Sequence, residues 1–324
     1  MPKYIIGLLD IFPSEYLDVI TADVPDGFEL HPIRTYDEPE LITAISGADF
    51  IMVGGDVYLS GKLLDAAKRV KLIVKRGVGY DRIDVRGAAA KGIPVSITPV
   101  AATSRSVAEH TVLLILAVLR KLKYLDQLVR RGGWRNDIQC CTYQLSGKTV
   151  GIVGIGSIGR EVAKRLKAFN AVLIYHDTIR ITSQVEEALG ASFRELDDLF
   201  TQSDIITLHI PLTSGTRNLV NERTLSMMKR TAVLINTSRG GVVDEPALIN
   251  ALKAGRIMGA GLDVFAKEPL ALDHPLIQMD NVVMTPHWAV GDIDTIREQL
   301  RRGFTNIARV AKGEGVVESD LVQP

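Results

Sequence analysis

Residues 149–166 read TVGIVGIGSIGREVAKRL, an apolar run followed directly by a glycine loop and an amphipathic segment. The run Thr149–Val153 predicts a buried strand, and the residues after the loop predict a helix. Gly154, Gly156 and Gly159 have the GxGxxG spacing, which between a strand and a helix is typical of dinucleotide binding. Gly154 would make the tight turn, Gly156 would let a pyrophosphate approach the backbone, and Gly159 would let helix and strand pack closely.

An acidic residue stands where an adenosine ribose would bind. The next predicted strand, 172–175, leads into Asp177, which lies eighteen residues after Gly159. A carboxylate there accepts hydrogen bonds from the ribose hydroxyls and repels a 2′-phosphate. The position therefore favours NAD over NADP, although Arg180 is close enough to weaken that preference.

Strand-like and helix-like segments alternate along the chain, which predicts parallel sheets with helices on both faces. Five short strands form a first group before residue 100. Six strands, from Thr149–Val153 to 282–285, form a second group and a complete dinucleotide-binding fold. A helix predicted over 297–312 returns the chain to the first group. We therefore predict an α/β protein with two doubly wound parallel sheets, in which a Rossmann domain is inserted in a flavodoxin-like domain.

The predicted boundaries are 1–102 with 292–324 for the substrate domain, and 103–291 for the NAD-binding Rossmann domain. A long apolar helix over about 106–131 opens the inserted domain. Apolar side chains surround much of this helix, so a core position and a subunit-interface position fit it equally well.

The composition indicates a soluble globular protein of two domains. The chain has 324 residues, of which 46% are hydrophobic and 23% charged, and these values exclude disordered, collagenous and coiled-coil proteins. Lys plus Arg and Asp plus Glu both number 38, so no global field draws the protein to nucleic acid or anionic lipid. We expect neither a nucleic-acid partner nor a membrane partner.

Cysteine usage and apolar stretches predict a cytoplasmic location. Cys140 and Cys141 are adjacent, and neighbours in sequence rarely satisfy disulfide geometry, which indicates reduced thiols. The Cys and His spacing predicts no metal site. The N-terminal residues make a poor signal peptide, and the most apolar stretch, Thr111–Leu119, is too short to span a bilayer.

Three polar side chains follow neighbouring strands of the second group. Arg239, Glu268 and His287 come after its fourth, fifth and sixth predicted strands, and ligands of open α/β sheets bind beyond the carboxyl ends of strands. Arg offers a fork of donors to a carboxylate or a polarised carbonyl. His exchanges a proton near neutral pH, and a nearby Glu orients the imidazole and favours its charged form. The set suits hydride transfer at a carbon bearing oxygen, with His as general acid in reduction and base in oxidation.

With these motifs the chain resembles the D-isomer-specific 2-hydroxyacid dehydrogenase family, which includes D-3-phosphoglycerate dehydrogenases, D-lactate dehydrogenases and glyoxylate/hydroxypyruvate reductases. The match runs from about residue 50 to 312. The matching motifs, in the family's order, are RGVGYD (76–81), SVAEHT (106–111), GKTVGIVG (147–154), HIPLT (209–213), NTSRG (236–240), GLDVF (261–265), EP (268–269) and TPH (285–287).

The resemblance implies an NAD-dependent oxidoreductase that interconverts a small 2-keto acid and its D-2-hydroxy acid. Glyoxylate, hydroxypyruvate and 3-phosphohydroxypyruvate are the leading substrates. Arg239 would bind the substrate carboxylate and keto oxygen, and Glu268 would pair with His287, the acid/base. The family is usually a homodimer joined through the cofactor domains and the long helix.

The resemblance also implies further binding residues. In the first domain, the substrate carboxylate would meet the loop of Gly77, Val78 and Gly79. Arg76, just before it, would read a second substrate charge or form a surface salt bridge. The cofactor would contact, besides the glycine loop and Asp177, a set made of Ser157, Ile158, Ile210, Pro211, Thr237, Ser238 and Asp263, the last of which would bind the nicotinamide amide.

Two alternatives stay open at this point. The corepressors that resemble the family keep the same Arg, Glu and His, so the chain could be a dinucleotide-sensing interaction protein with little turnover. It could also be an NADP-dependent member of the same family. Measured turnover distinguishes an enzyme from a dinucleotide sensor. Replacement of Asp177 distinguishes an NAD-dependent from an NADP-dependent member, because only in the former should NADP use increase.

Overall fold

Two structural units make up the chain. The computed structural model describes residues 4–324. Unit 1 comprises Met1–Thr103 with Gly291–Pro324, and unit 2 comprises Ser104–Val290. Unit 2 is therefore inserted in the sequence of unit 1.

The sheet of unit 1 has the flavodoxin-like strand order. Within the described residues it contains five parallel strands in the order β2-β1-β3-β4-β5. They are β1 (Tyr4–Leu8), β2 (Phe28–Pro32), β3 (Phe50–Val53), β4 (Ile73–Lys75) and β5 (Val95–Ile97), and the helices between them are α1 (Ser14–Thr21), α2 (Glu38–Gly47), α3 (Gly61–Ala66) and α4 (Val85–Ala90). The β3 residues are all buried, because helices cover both faces of a parallel sheet.

The C-terminal helix, α12 (Ile293–Ala311), belongs to unit 1. Its buried residues Ile296, Leu300, Phe304 and Ile307 pack in one cluster with side chains of β1, β3 and β4. The helix begins four residues before the predicted start at residue 297. The side chain of Asp292 caps it by accepting a hydrogen bond from the Thr295 N–H at 2.8 Å, a signal that the apolar pattern alone does not carry.

Unit 2 contains a doubly wound parallel sheet with the order β12-β11-β10-β9-β6-β7-β8. Its seven strands, all within the described part of the chain, are β6 (Thr149–Val153), β7 (Val172–His176), β8 (Ala191–Phe193), β9 (Ile205–Leu208), β10 (Val233–Asn236), β11 (Gly259–Leu262) and β12 (Val282–Met284). The helices between them are α7 (Ser157–Ala168), α8 (Ser183–Leu189), α9 (Leu196–Gln202), α10 (Glu222–Met227) and α11 (Glu245–Lys253). The prediction of six strands was wrong, because the three-residue β8 is too short to show a pattern and forms by pairing with β7.

The single long helix predicted at the start of unit 2 is two helices. They are α5 (Ala101–Leu119) and α6 (Leu122–Arg130), and Lys121 between them is left-handed with φ of 52°. The helix α5 has the length and composition to cross a membrane, as no other described helix does. Most of it is buried inside the protein, where Leu114, Ile115 and Val118 join a core cluster with β6 and β10 residues. We therefore interpret α5 as a core helix.

Candidate active site

The glycine loop has the geometry that its spacing predicts. Gly154 has φ of +94°, and a side-chain carbon added there would lie 2.5 Å from the carbonyl oxygen of His209. A carbon added at Gly159 would collide with the carbonyl oxygen of Gly154. At Gly156 the same carbon would have no neighbour within 4 Å among the described atoms. The backbone at Gly156 is therefore open to a ligand, and it directly precedes the N-terminus of α7, where N–H groups and the helix dipole favour an anion.

Asp177, at the end of β7, is tied to this loop. Its Oδ2 accepts a hydrogen bond from the Ile155 N–H at 2.8 Å. Arg180 is engaged elsewhere, since its guanidinium donates to both carboxylate oxygens of Glu186 at 2.9 and 3.0 Å. Hydrogen bonds from Arg180 and Tyr175 hold the pKa of Glu186 below its usual value. The charge of Arg180 is therefore compensated, and the carboxylate of Asp177 dominates this end of the loop.

His209 adds a buried polar atom beneath the glycine loop, which the sequence analysis did not single out as a site residue. Its Nε2 is 2.9 Å from the Thr207 hydroxyl oxygen, whereas its Nδ1 is buried without a hydrogen-bond partner among the residues that the structure describes. Burial lowers the pKa of His209 to about 3, so the ring is neutral at physiological pH. The orphaned nitrogen and the open backbone at Gly156 fit a site built to enclose a polar ligand such as a dinucleotide.

The turn after β10 places Arg239. The buried side chain of Asn236 shapes this turn, because its Oδ1 accepts from the Ser238 N–H at 3.0 Å and its Nδ2 donates to the Arg239 carbonyl at 3.0 Å. The Arg239 guanidinium donates to the Ser238 carbonyl at 2.8 Å. A side-chain carbon at Gly240 would collide with the carbonyl oxygen of Phe265. The loop carrying Arg239 therefore lies directly against the loop that leads to Glu268.

Glu268 and His287 form the pair that the family resemblance implies. The imidazole Nδ1 lies 2.9 Å from Glu268 Oε2, and the two side chains are 45% and 21% exposed. The other carboxylate oxygen of Glu268 accepts from the Phe265 N–H at 3.1 Å. The glutamate is thus held by its own loop and orients the ring, which leaves Nε2 as the nitrogen that can exchange a proton with a ligand.

The backbone of His287 is in the left-handed region, with φ of 53°. Its N–H donates to the Asp263 carbonyl at 2.8 Å and to the Thr285 carbonyl at 3.0 Å. A left-handed non-glycine residue costs about 1–2 kcal/mol and persists where the surrounding structure enforces it. The strain therefore marks a residue whose position is determined by its neighbours.

Asp263 holds the backbone around His287 in this conformation. Its carboxylate is fully buried and accepts hydrogen bonds from the backbone N–H groups of Trp288 and Ala289 at 2.8 and 3.0 Å. Thr285 donates its hydroxyl to the same carboxylate at 2.5 Å and lies 2.8 Å from Nε2 of His110 on α5. Burial raises the pKa of Asp263, but the hydrogen bonds from His110, Thr285 and Trp288 outweigh it and lower the pKa. The ionised carboxylate holds the loop on which His287 sits, a role that residue spacing alone does not reveal.

The other predicted cofactor residues lie at the same edge of the unit 2 sheet. Ser157 and Ile158 start α7, Ile210 and Pro211 follow β9, and Thr237 and Ser238 follow β10. In unit 1, Gly77 has φ of +88°, and its N–H donates to the Thr98 hydroxyl at 2.8 Å. Val78 is exposed beside it. Each unit thus presents its predicted residues at the carboxyl ends of its strands.

Comparisons with known proteins found a family model and relatives that are similar to this chain. The family model described as "D-isomer specific 2-hydroxyacid dehydrogenase, NAD binding domain" matches residues 112–289. The glyoxylate reductase of Thermofilum pendens is 42% identical over 278 residues, which are 85% of this chain and 82% of that protein. The D-3-phosphoglycerate dehydrogenase of Archaeoglobus fulgidus is 37% identical over 291 residues, which cover 89% of this chain and 54% of that longer protein.

Solved structures of 2-hydroxyacid dehydrogenases are also similar to this chain. The D-lactate dehydrogenase of Aquifex aeolicus complexed with NAD and lactic acid has a TM-score of 0.84 and 31% identity, and the match covers 99% of both chains. A glyoxylate reductase from Paecilomyes thermophila has a TM-score of 0.80 and 28% identity, again over 99% of both chains.

Proposed function

This chain belongs to the D-isomer-specific 2-hydroxyacid dehydrogenase family, and on that premise we propose that it reduces a small 2-keto acid to the D-2-hydroxy acid. It is an NAD-dependent 2-hydroxyacid dehydrogenase. The proposed substrates are of the glyoxylate, hydroxypyruvate or 3-phosphohydroxypyruvate type. The observation that carries the proposal is the 2.9 Å pairing of His287 with Glu268, in the unit whose first βα turn is the open glycine loop.

The chain's own residues account for binding and proton transfer. NAD, when bound, supplies or accepts the hydride. We assign His287 as the general acid that protonates the keto oxygen during reduction, and as the base in the reverse direction. Glu268 orients the imidazole through its contact with Nδ1. Arg239 binds the carboxylate and keto oxygen and stabilises the negative charge that develops on that oxygen.

The remaining proposed roles are contacts to the cofactor and to the substrate carboxylate. The proposed NAD contacts in unit 2 are Gly154, Gly156, Ser157, Ile158, Gly159, Asp177, Ile210, Pro211, Thr237, Ser238 and Asp263. In unit 1, we propose that the Val78 and Gly79 N–H groups of the Gly77–Val78–Gly79 loop bind the substrate carboxylate, while the Gly77 N–H, which donates to the Thr98 hydroxyl, holds the loop in place.

Steady-state turnover tests the proposal. NADH oxidation by the purified protein is measured against glyoxylate, hydroxypyruvate, 3-phosphohydroxypyruvate and pyruvate. We expect saturable turnover of at least one keto acid. If NADH binds tightly and no keto acid is turned over, the proposal is wrong and the dinucleotide-sensing alternative replaces it.

Cofactor preference depends on Asp177 in this proposal. The substitution Asp177→Asn keeps an oxygen that can accept from the Ile155 N–H but removes the negative charge that repels a 2′-phosphate. We expect the kcat/KM ratio of NADPH to NADH to rise at least about tenfold, equivalent to about 1.4 kcal/mol. The matched control is Asp198→Asn on α9, which should leave the ratio unchanged. An unchanged ratio in Asp177→Asn would favour the NADP-dependent alternative.

We also propose a homodimer formed through unit 2. None of the α6 residues, all of which the structure describes, is buried. Leu122, Val129 and Trp134 are exposed on α6 and just after it, and Leu113 is exposed on α5. Burial of these exposed apolar side chains in a subunit interface would stabilise a dimer, and sedimentation velocity distinguishes a dimer from a monomer. We also propose a cytoplasmic location, because Cys140 and Cys141 are free thiols and thiols stay reduced in the cytosol.

A further inference from the structure

Arg76 is enclosed at the end of β4, directly before the loop proposed to bind the substrate carboxylate. Its side chain is 16% exposed, and its Nε lies 3.3 Å from Oδ2 of Asp10, whose side chain is 3% exposed. Its Nη1 donates to Gln299 Oε1 at 3.3 Å, and its guanidinium lies 5.2 Å from the ring centroid of Phe12. The structure thus places Arg76 in a largely buried ion pair and not in the surface salt bridge that the sequence also allowed.

Neighbouring residues leave space for the Asp10–Arg76 pair and orient a hydrogen-bond acceptor toward it. A side-chain carbon at Gly54 would collide with Asp10 and lie 2.9 Å from Arg76 Nη2, so the glycine leaves the space that the two side chains fill. The amide nitrogen of Gln299 donates to the Thr103 hydroxyl at 2.9 Å, which turns its oxygen toward Arg76. Asp10 and Gly54 follow β1 and β3, between which the flavodoxin-like strand order reverses, and ligands bind at such switch points.

The loops at this edge of the unit 1 sheet carry more acidic than basic residues. The five loops at the carboxyl ends of the strands (9–13, 33–37, 54–60, 76–84 and 98–100) contain five Asp and three Arg, and Lys75 at the end of β4 reduces the difference to one negative charge. The Lys75 side chain is buried, and its ammonium donates to the Arg76 carbonyl. Asp56 accepts a hydrogen bond from the Tyr36 hydroxyl at 3.1 Å. The exposed large hydrophobic side chains of the same loops are Ile11, Tyr36, Tyr58, Val78 and Tyr80, and Arg34 is the exposed arginine of these loops.

We infer that the Asp10–Arg76 pair sets the side-chain specificity of the proposed reaction, so that the substrate is a 2-keto acid with an uncharged side chain and not a phosphorylated one. This inference rests on the proposed function. A phosphate dianion needs a compensating cation when it leaves water. Arg76 directly precedes the carboxylate loop, but Asp10 already neutralises it. Asp56, which accepts from the Tyr36 hydroxyl at the same edge, would repel the dianion. A hydrogen or hydroxymethyl side chain loses no such solvation.

The first test uses the unmodified protein. We compare kcat/KM for hydroxypyruvate and 3-phosphohydroxypyruvate, which differ by the phosphate, under the same NADH-saturated conditions. We expect hydroxypyruvate to be favoured at least about 100-fold. A ratio near one, or a preference for the phosphorylated acid, overturns the inference and leaves the proposed function intact. Turnover of no 2-keto acid at all contradicts the proposed function itself.

The second test changes the pair. Asp10→Asn keeps the size and an oxygen acceptor for Arg76 but removes the neutralising charge, so we expect the relative kcat/KM for 3-phosphohydroxypyruvate to rise at least about tenfold. The matched control is Asp65→Asn, which removes an exposed carboxylate of unit 1 that pairs with Lys91 and should not move the ratio. Circular dichroism establishes that Asp10→Asn is folded. A folded Asp10→Asn protein with the wild-type ratio overturns the inference, and if the variant does not fold, the first test decides alone.

Discussion

Replacement of His287 by alanine is expected to lower kcat for the preferred 2-keto acid by about 10²–10⁴-fold, the usual contribution of a positioned general acid. The imidazole is held by Glu268 at 2.9 Å and is the group assigned to protonate the keto oxygen. NADH affinity should stay near the wild-type value, because the glycine loop and Asp177 do not depend on the ring. Steady-state kinetics and a fluorescence titration with NADH measure the two quantities.

A second variant is needed because the backbone of His287 is left-handed, so that the alanine variant could also distort the loop. Alanine is disfavoured at φ of 53°, whereas asparagine tolerates that conformation. His287→Asn therefore removes the acid while sparing the loop, and it should lose kcat as severely as the alanine variant.

A matched control is available in unit 1. His31 lies 2.9 Å from Glu29, the same separation as in the proposed catalytic pair, but on the exposed surface of β2. His31→Ala should leave kcat unchanged. Near-normal turnover in both His287 variants would refute the acid/base assignment.

Replacement of Arg239 by alanine is expected to lower kcat/KM by about 10²–10³-fold, or about 3–4 kcal/mol of transition-state stabilisation. Both KM and kcat should change, because the guanidinium is assigned to the carboxylate and to the oxygen on which charge develops. Arg239→Lys should recover only part of the loss, since an ammonium group keeps the charge but not the planar fork.

The control for Arg239 is Arg223→Lys. Arg223 pairs with Asp197 at 2.8 Å on an exposed face of unit 2, so exchange of its head group should leave the kinetics unchanged. If Arg239→Ala alters neither KM nor kcat, the substrate-binding assignment fails.

Much of the architecture was predictable from local patterns. The apolar run at Thr149–Val153, the glycines after it and the acid at Asp177 lie within thirty residues of one another, and a βαβ motif has sequence cues at such short spacings. The placement of Arg239, Glu268 and His287 at strand ends followed from strand alternation and the rule that parallel strands share a carboxyl edge. That reasoning placed the three side chains at one edge, the family resemblance implied that Glu268 pairs with His287, and the structure shows these two side chains 2.9 Å apart.

Short strands and the ends of helices were harder to predict from the sequence. The strand β8 has three residues and depends on pairing with β7, and the break between α5 and α6 depends on one left-handed residue, Lys121. Local propensity is too weak to specify such features without the tertiary contacts that stabilise them.

By itself, the sequence determined the two parallel sheets, the dinucleotide loop and the strand ends that carry the proposed chemistry, because each depends on a periodic or closely spaced pattern. Only the tertiary structure decided which polar groups neutralise one another. Arg76 and Asp10 are 66 residues apart, and His110 and Thr285 are 175 apart. Strand order brings these pairs together, and no spacing rule predicts a partner at such separations. The pairing of Arg76 with Asp10 in unit 1 and the hydrogen bonds from the His287 loop to Asp263 in unit 2 are therefore properties of the folded chain.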